Sequence, residues 1–130
     1  MRPSPLLLVP LLLGGCAAPR AEGPTRDQQW LSRELAGRVA GPTQTCVPAE
    51  SNSAALTIVD DRTLAYQRGR TLWVNKLEAP CPGLRPFETL IVEVHGSQYC
   101  RNDRFRSVEP GLTIPGPYCL LGDFTPYRRR

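Results

Sequence analysis

Four cysteines, Cys46, Cys81, Cys100 and Cys119, constrain this chain more than any other feature. In an exported protein an even number reads as two disulfides, and four cysteines allow three connectivities, each pinning different segments. A zinc site would need a close pair such as C-x-x-C or a Cys/His cluster. Here the nearest spacing is nineteen residues, and His95 is the sole histidine. The steps from Cys81 to Cys100 to Cys119 are equal, yet the two intervals share no other pattern, so no repeat is read from them.

Export itself is read from residues 1–16. Met1-Arg2 precedes an apolar run from Leu6 to Leu13, broken once by Pro10 and closed by Gly14-Gly15-Cys16. A short basic start, an apolar run of about 7–15 residues and a small-residue cleavage site form a secretory signal. The run is under half the roughly 20 residues that a membrane-spanning helix needs. Leu13-Gly14-Gly15-Cys16 resembles the lipobox of bacterial lipoproteins, in which a peptidase cuts before the cysteine and that cysteine becomes acylated. The resemblance implies lipidation of Cys16 and a stable anchor, because two or more chains hold where one binds only marginally. Ala17 stands where an aspartate would retain enterobacterial lipoproteins in the inner membrane. The expected location is therefore the cell envelope, lipid-anchored and periplasm-facing, on the outer membrane rather than the inner.

Without residues 1–15, which hold one arginine, 115 residues and a formal charge of +3 remain. That length suits one small domain, and the charge is too mild to argue for nucleic acid. Residues 16–24 hold two prolines and a glycine and read as a lipidated tether. Thr25-Arg26-Asp27-Gln28 is a Thr-x-x-Gln capping box. Trp30, Leu31, Leu35 and Val39 recur at helical spacing as far as Gly41-Pro42, which predicts a helix over about 26–39 inside a helix-and-linker segment 25–43.

From residue 44 the pattern turns to short strands. Ala55–Val59, Leu64–Gln67, Thr71–Asn75, Thr89–Val94, Arg104–Val108 and Tyr118–Leu121 are candidates, with turns at Asp60-Asp61-Arg62, Arg68-Gly69-Arg70, Glu109-Pro110-Gly111 and Pro115-Gly116-Pro117. Leu72 and Val74 should share a face opposite Trp73, and Leu90, Val92 and Val94 a face opposite Ile91, Glu93 and His95. The fold class expected is mainly β: a small antiparallel barrel or sandwich of five to seven strands over 44–127, preceded by one helix and followed by a basic tail, 128–130. Barrel closure would set the first and last strands side by side and pair Cys46 with Cys119, leaving Cys81 with Cys100. The next choice is Cys46–Cys81 with Cys100–Cys119.

Catalytic signals are thin. His95 with Ser97 or Cys100 would be the available nucleophile–base pair, but strand parity puts His95 on the exposed face. Asp60, Asp61, Glu88, Glu93, Asp103 and Asp123 could supply a glycosidase-like carboxylate pair, and no spacing selects two of them. No phosphate-cradling glycine loop or metal constellation is present in the sequence, so no cofactor is expected. Arg101, Arg104 and Arg106 are candidate anion-binding residues, and Arg128-Arg129-Arg130 could meet lipid phosphates or glycan-associated carboxylates.

The phrases Cys81-Pro82-Gly83-Leu84-Arg85, Gly96-Ser97-Gln98-Tyr99-Cys100-Arg101-Asn102-Asp103 and Cys119-Leu120-Leu121-Gly122-Asp123-Phe124-Thr125-Pro126-Tyr127, with Val59-Asp60-Asp61-Arg62-Thr63-Leu64 upstream, resemble an uncharacterised family of small secreted or lipid-anchored proteobacterial proteins. The resemblance covers about residues 44–127. It implies location and disulfides and transfers no catalytic residue. The expected function is a non-enzymatic binding or scaffolding module of the envelope. Its partners would be the membrane through acylated Cys16 and an envelope protein, peptidoglycan or anionic lipid, with no nucleic acid. The alternatives are a small envelope hydrolase or glycan-active enzyme, and an inhibitor or accessory subunit of an envelope enzyme.

Overall fold

Thr25 caps the first element from both directions. The Gln28 amide N–H donates to the Thr25 hydroxyl (3.3 Å), and the Thr25 amide N–H donates to the Gln28 side-chain oxygen (2.9 Å). This starts α1, Arg26–Leu35. In the computed structural model, which describes residues 21–49 and 55–130, the helix stops earlier than the apolar spacing predicts. Gly37 takes a left-handed conformation (φ 73°), the usual residue just past a helix end. The chain turns there and Arg38–Ala40 becomes a strand, β1, so Val39 belongs to a sheet.

The remaining strands are β2 (Cys46–Pro48), β3 (Thr57–Asp60), β4 (Thr63–Arg68), β5 (Thr71–Lys76), β6 (Thr89–Val92), β7 (Gln98–Cys100), β8 (Arg104–Val108), β9 (Cys119–Leu120) and β10 (Asp123–Arg129). All pairings are antiparallel, in a five-stranded sheet β1-β10-β5-β4-β3, a pair β2-β7 and a three-stranded sheet β6-β8-β9. The fold is mainly β and sandwich-like, and the sheets do not close into a barrel. The described residues hold ten strands rather than five to seven. The extra ones are mostly two or three residues long, too short to show alternation.

Period-2 alternation in the β4–β5 hairpin divides the interior. Leu64, Tyr66 and Trp73 point to one side, where they join Val47, Ile58, Phe105, Leu121 and Phe124 in the main core under the two smaller sheets. Ala65, Leu72 and Val74 point to the other, where they meet Leu31 of α1, with Trp30, Leu35 and Tyr127 at the margin. Both faces of the central strands are thus covered, and the Leu72/Trp73/Val74 division is as the sequence pattern requires. Strand β10 carries Pro126, which has no N–H for a ladder and argues against a strand between two others. Its neighbour here is Gly41, whose missing Cβ would lie 3.1 Å from the proline ring and whose N–H donates to the Pro126 carbonyl (2.8 Å).

The disulfides are Cys46–Cys100 and Cys81–Cys119, with Cα separations of 4.1 and 5.8 Å. Both sequence-based pairings are therefore corrected. Cys46 and Cys100 lie directly opposite each other on β2 and β7. Without barrel closure, Cys119 is not beside Cys46; it sits on β9 and reaches the loop ahead of β6. Segments assigned to linker and tail are also strand, since Arg38–Ala40 pairs with Tyr127, Arg128 and Arg129. The leader, Cys16 and most of the tether fall outside the described residues.

Candidate functional site

Antiparallel register brings four strand termini together at one end of the five-stranded sheet. β4 ends at Arg68 and β5 begins at Thr71, while Arg38 opens β1 opposite Arg129 near the end of β10. The two-residue hairpin loop is Gly69-Arg70, and Gly69 (φ 55°) occupies the first loop position, where a primed turn needs positive φ. Together these ends form a concavity of about 660 Å³ lined by Arg38, Arg70, Arg128, Arg129 and Arg130, with Gln67 and Gly69.

Arg38 is the floor. Its side chain is 7% exposed. It donates to the Glu34 carbonyl near the end of α1 (2.7 Å) and to the Arg70 carbonyl in the hairpin loop (3.0 Å), and it pairs with the Glu34 carboxylate (3.5 Å). A cation suits the negative end of a helix, so Arg38 fastens α1, the hairpin and β10 to one another. Arg128 donates to the Thr71 hydroxyl (3.2 Å). Among the described residues, Arg70, Arg129 and Arg130 form no ion pair, and no Asp or Glu side chain lines the concavity. Guanidinium forks match carboxylate and phosphate oxygens bidentately. A cleft lined by one sign of charge also concentrates ions of the other sign.

Arg101, Arg104 and Arg106 are placed differently. Arg101 is held by Glu78 and by Asp123 (3.2 Å). Arg104 pairs with Glu93 (3.0 Å). Arg106 donates to the Gly116 carbonyl (3.1 Å), and both Arg104 and Arg106 lie over the Tyr118 ring, 4.7 and 4.4 Å from its centre. The structure brings Arg104 and Arg106 together around an aromatic ring and leaves Arg101 apart, with acidic partners. Arg128-Arg129-Arg130 were legible as candidates. The contributions of Arg38 and Arg70 were not, because they depend on pairing across about ninety and sixty residues of sequence.

His95 is 81% exposed, and its Nδ1 lies 3.4 Å from Asp103. It hydrogen-bonds no hydroxyl or thiol among the described residues, and Cys100 is committed to a disulfide. Asp103 is buried and accepts from the Cys100 amide N–H (2.8 Å), holding the turn before β8. Asp60, Glu93 and Asp123 are each engaged by neighbours in the chain. Burial alone would raise the Asp60 carboxyl, but hydrogen bonds from Gln28, Arg62 and Thr63 and the Lys76 charge outweigh it and hold the group below its ordinary value. Among the described residues no group of three His, Cys, Asp or Glu side chains could hold a metal ion, and no helix is long and apolar enough to cross a membrane. No family model, curated protein or solved structure matches this chain.

Proposed function

We propose that the protein is a lipid-anchored envelope module that binds carboxylate groups of peptidoglycan in its arginine-lined concavity. The observation that carries this reading is the convergence of Arg38, Arg70, Arg128, Arg129 and Arg130 on a cleft with no Asp or Glu side chain in its lining. Arg38 is already spent on holding three elements together and Arg128 donates to Thr71, which leaves Arg70, Arg129 and Arg130 to face a ligand. Placement favours a ligand beyond the bilayer. Residues 16–24 lead from the expected anchor at Cys16 to the start of α1, whereas the concavity lies past its far end, about 15 Å further on for ten helical residues.

The test is co-sedimentation of the purified, acylated protein with peptidoglycan sacculi. Vesicles of phosphatidylglycerol in phosphatidylcholine, mixed with protein made without residues 1–16 so that neither leader nor anchor dominates, form the second arm. Sacculus binding that weakens with salt, falls about tenfold in an Arg70→Glu/Arg129→Glu double variant and persists in Arg101→Ala is the expected result. Binding that survives the double variant, or that occurs with vesicles and not with sacculi, overturns the reading.

A further inference from the structure

Unusual features of two loops meet ahead of β6. Phe87 takes φ 74°, rare for a bulky side chain, and the residue is 86% exposed. The next residue, Glu88, has a carboxylate oxygen buried from solvent with no hydrogen-bond partner. Opposite, the loop between β8 and β9 holds out Leu112 (57% exposed) and Ile114 (81%), which share with Glu88 and Glu109 the lining of one shallow depression. Neither glutamate forms an ion pair among the described residues. This is an acidic, apolar spot on a chain of net positive charge.

The Arg85–Glu88 turn, closed by the Glu88 N–H donating to the Arg85 carbonyl (3.3 Å), accounts for the Phe87 backbone, because its third position takes positive φ. The turn does not account for the exposed apolar side chains, and a buried carboxylate oxygen without a donor forfeits its solvation. One kind of ligand suits the remaining features. Apolar side chains would cover Phe87, Leu112 and Ile114, while a cation in the depression would face the Glu88 and Glu109 carboxylates. An anionic membrane surface fits poorly, because Glu88 and Glu109 would face it with like charge.

We infer that Phe87, Glu88, Leu112 and Ile114 form a docking site for a protein partner, engaged through a lysine or arginine flanked by apolar side chains. The occupant is identified by charge complementarity with Glu88 and Glu109. The site is separate from the arginine-lined concavity and independent of its ligand.

A benzophenone amino acid placed at position 87, and separately at 114, in the full chain would trap the occupant on irradiation of intact cells. Position 57, exposed at the start of β3, serves as control. The expected outcome is the same protein adduct from 87 and 114 but not from 57, joined through a peptide containing Lys or Arg beside apolar residues. Glu88→Gln should cut its yield at least tenfold while thermal unfolding shows the fold intact. Adducts to lipid or to a second copy of this chain overturn the proposal. So do identical adducts at 57, adducts lacking a basic residue, or yields unchanged by Glu88→Gln in a folded protein.

Discussion

The side chain of Asn75 and the backbone of Gly122 exchange two hydrogen bonds. The Asn75 amide donates to the Gly122 carbonyl (2.7 Å), and the Gly122 N–H donates to the Asn75 side-chain oxygen (2.9 Å). Both contacts are buried, and they seal the corner where the chain passes from β9 into β10. Asn75→Ala strands two buried backbone groups, so a loss of about 2–4 kcal/mol is expected, read from urea unfolding. Gly122→Ala should be worse, about 3 kcal/mol or more, because its Cβ would fall inside contact distance of the Lys76 carbonyl and the backbone itself must shift. Equal, small losses for both variants would show that the corner is not held this way.

The two disulfides interlock along the chain, closing separations of 54 and 38 residues. Loop entropy of the unfolded chain assigns each about 4 kcal/mol. Replacing Cys81 and Cys119 together by alanine should therefore lower unfolding free energy by about that amount, as should the Cys46/Cys100 pair. Peptide mapping without reduction is expected to recover Cys46–Cys100 and Cys81–Cys119. Recovery of Cys81–Cys100 or Cys46–Cys119 would contradict the β2–β7 register.

Asp60 and Tyr99 make stability depend on pH. Asp60 is held below its ordinary 3.8, so its contribution is fully present above that value and is lost as pH falls through the lower folded value. Asp60→Asn should flatten the acid side of a Tm-against-pH curve. Tyr99 is pushed above its ordinary 10.0, first by burial and then by Tyr66, whose ring meets it edge-on at 5.5 Å. Its contribution is present below 10.0 and is lost as pH rises through the higher folded value. Phenolate absorbance should show a late titration in the folded protein that Tyr99→Phe loses.

Short-range chemistry made part of this protein legible from its residues alone. The Thr25–Gln28 capping box spans three residues and forms as read. The opposition of Trp73 to Leu72 and Val74 follows from the pleat, and Arg68-Gly69-Arg70 marks a hairpin because its residues are adjacent. Those features fix a mainly β chain with one helix in front. Tertiary structure decided which segments pair. β2 and β7 have three residues each and too little pattern to name a partner, so Cys46 could be matched to Cys100 only once the two strands lay side by side. β10 was hidden by Pro126, which is tolerated because Gly41 makes room for its ring. The same long-range pairing set Arg38 beside Arg129 and Arg128 beside Thr71, turning a terminal charge run into the wall of a cleft. Local sequence encodes propensity and period, but the partner of a short strand depends on a sum of distant contacts that no single segment carries.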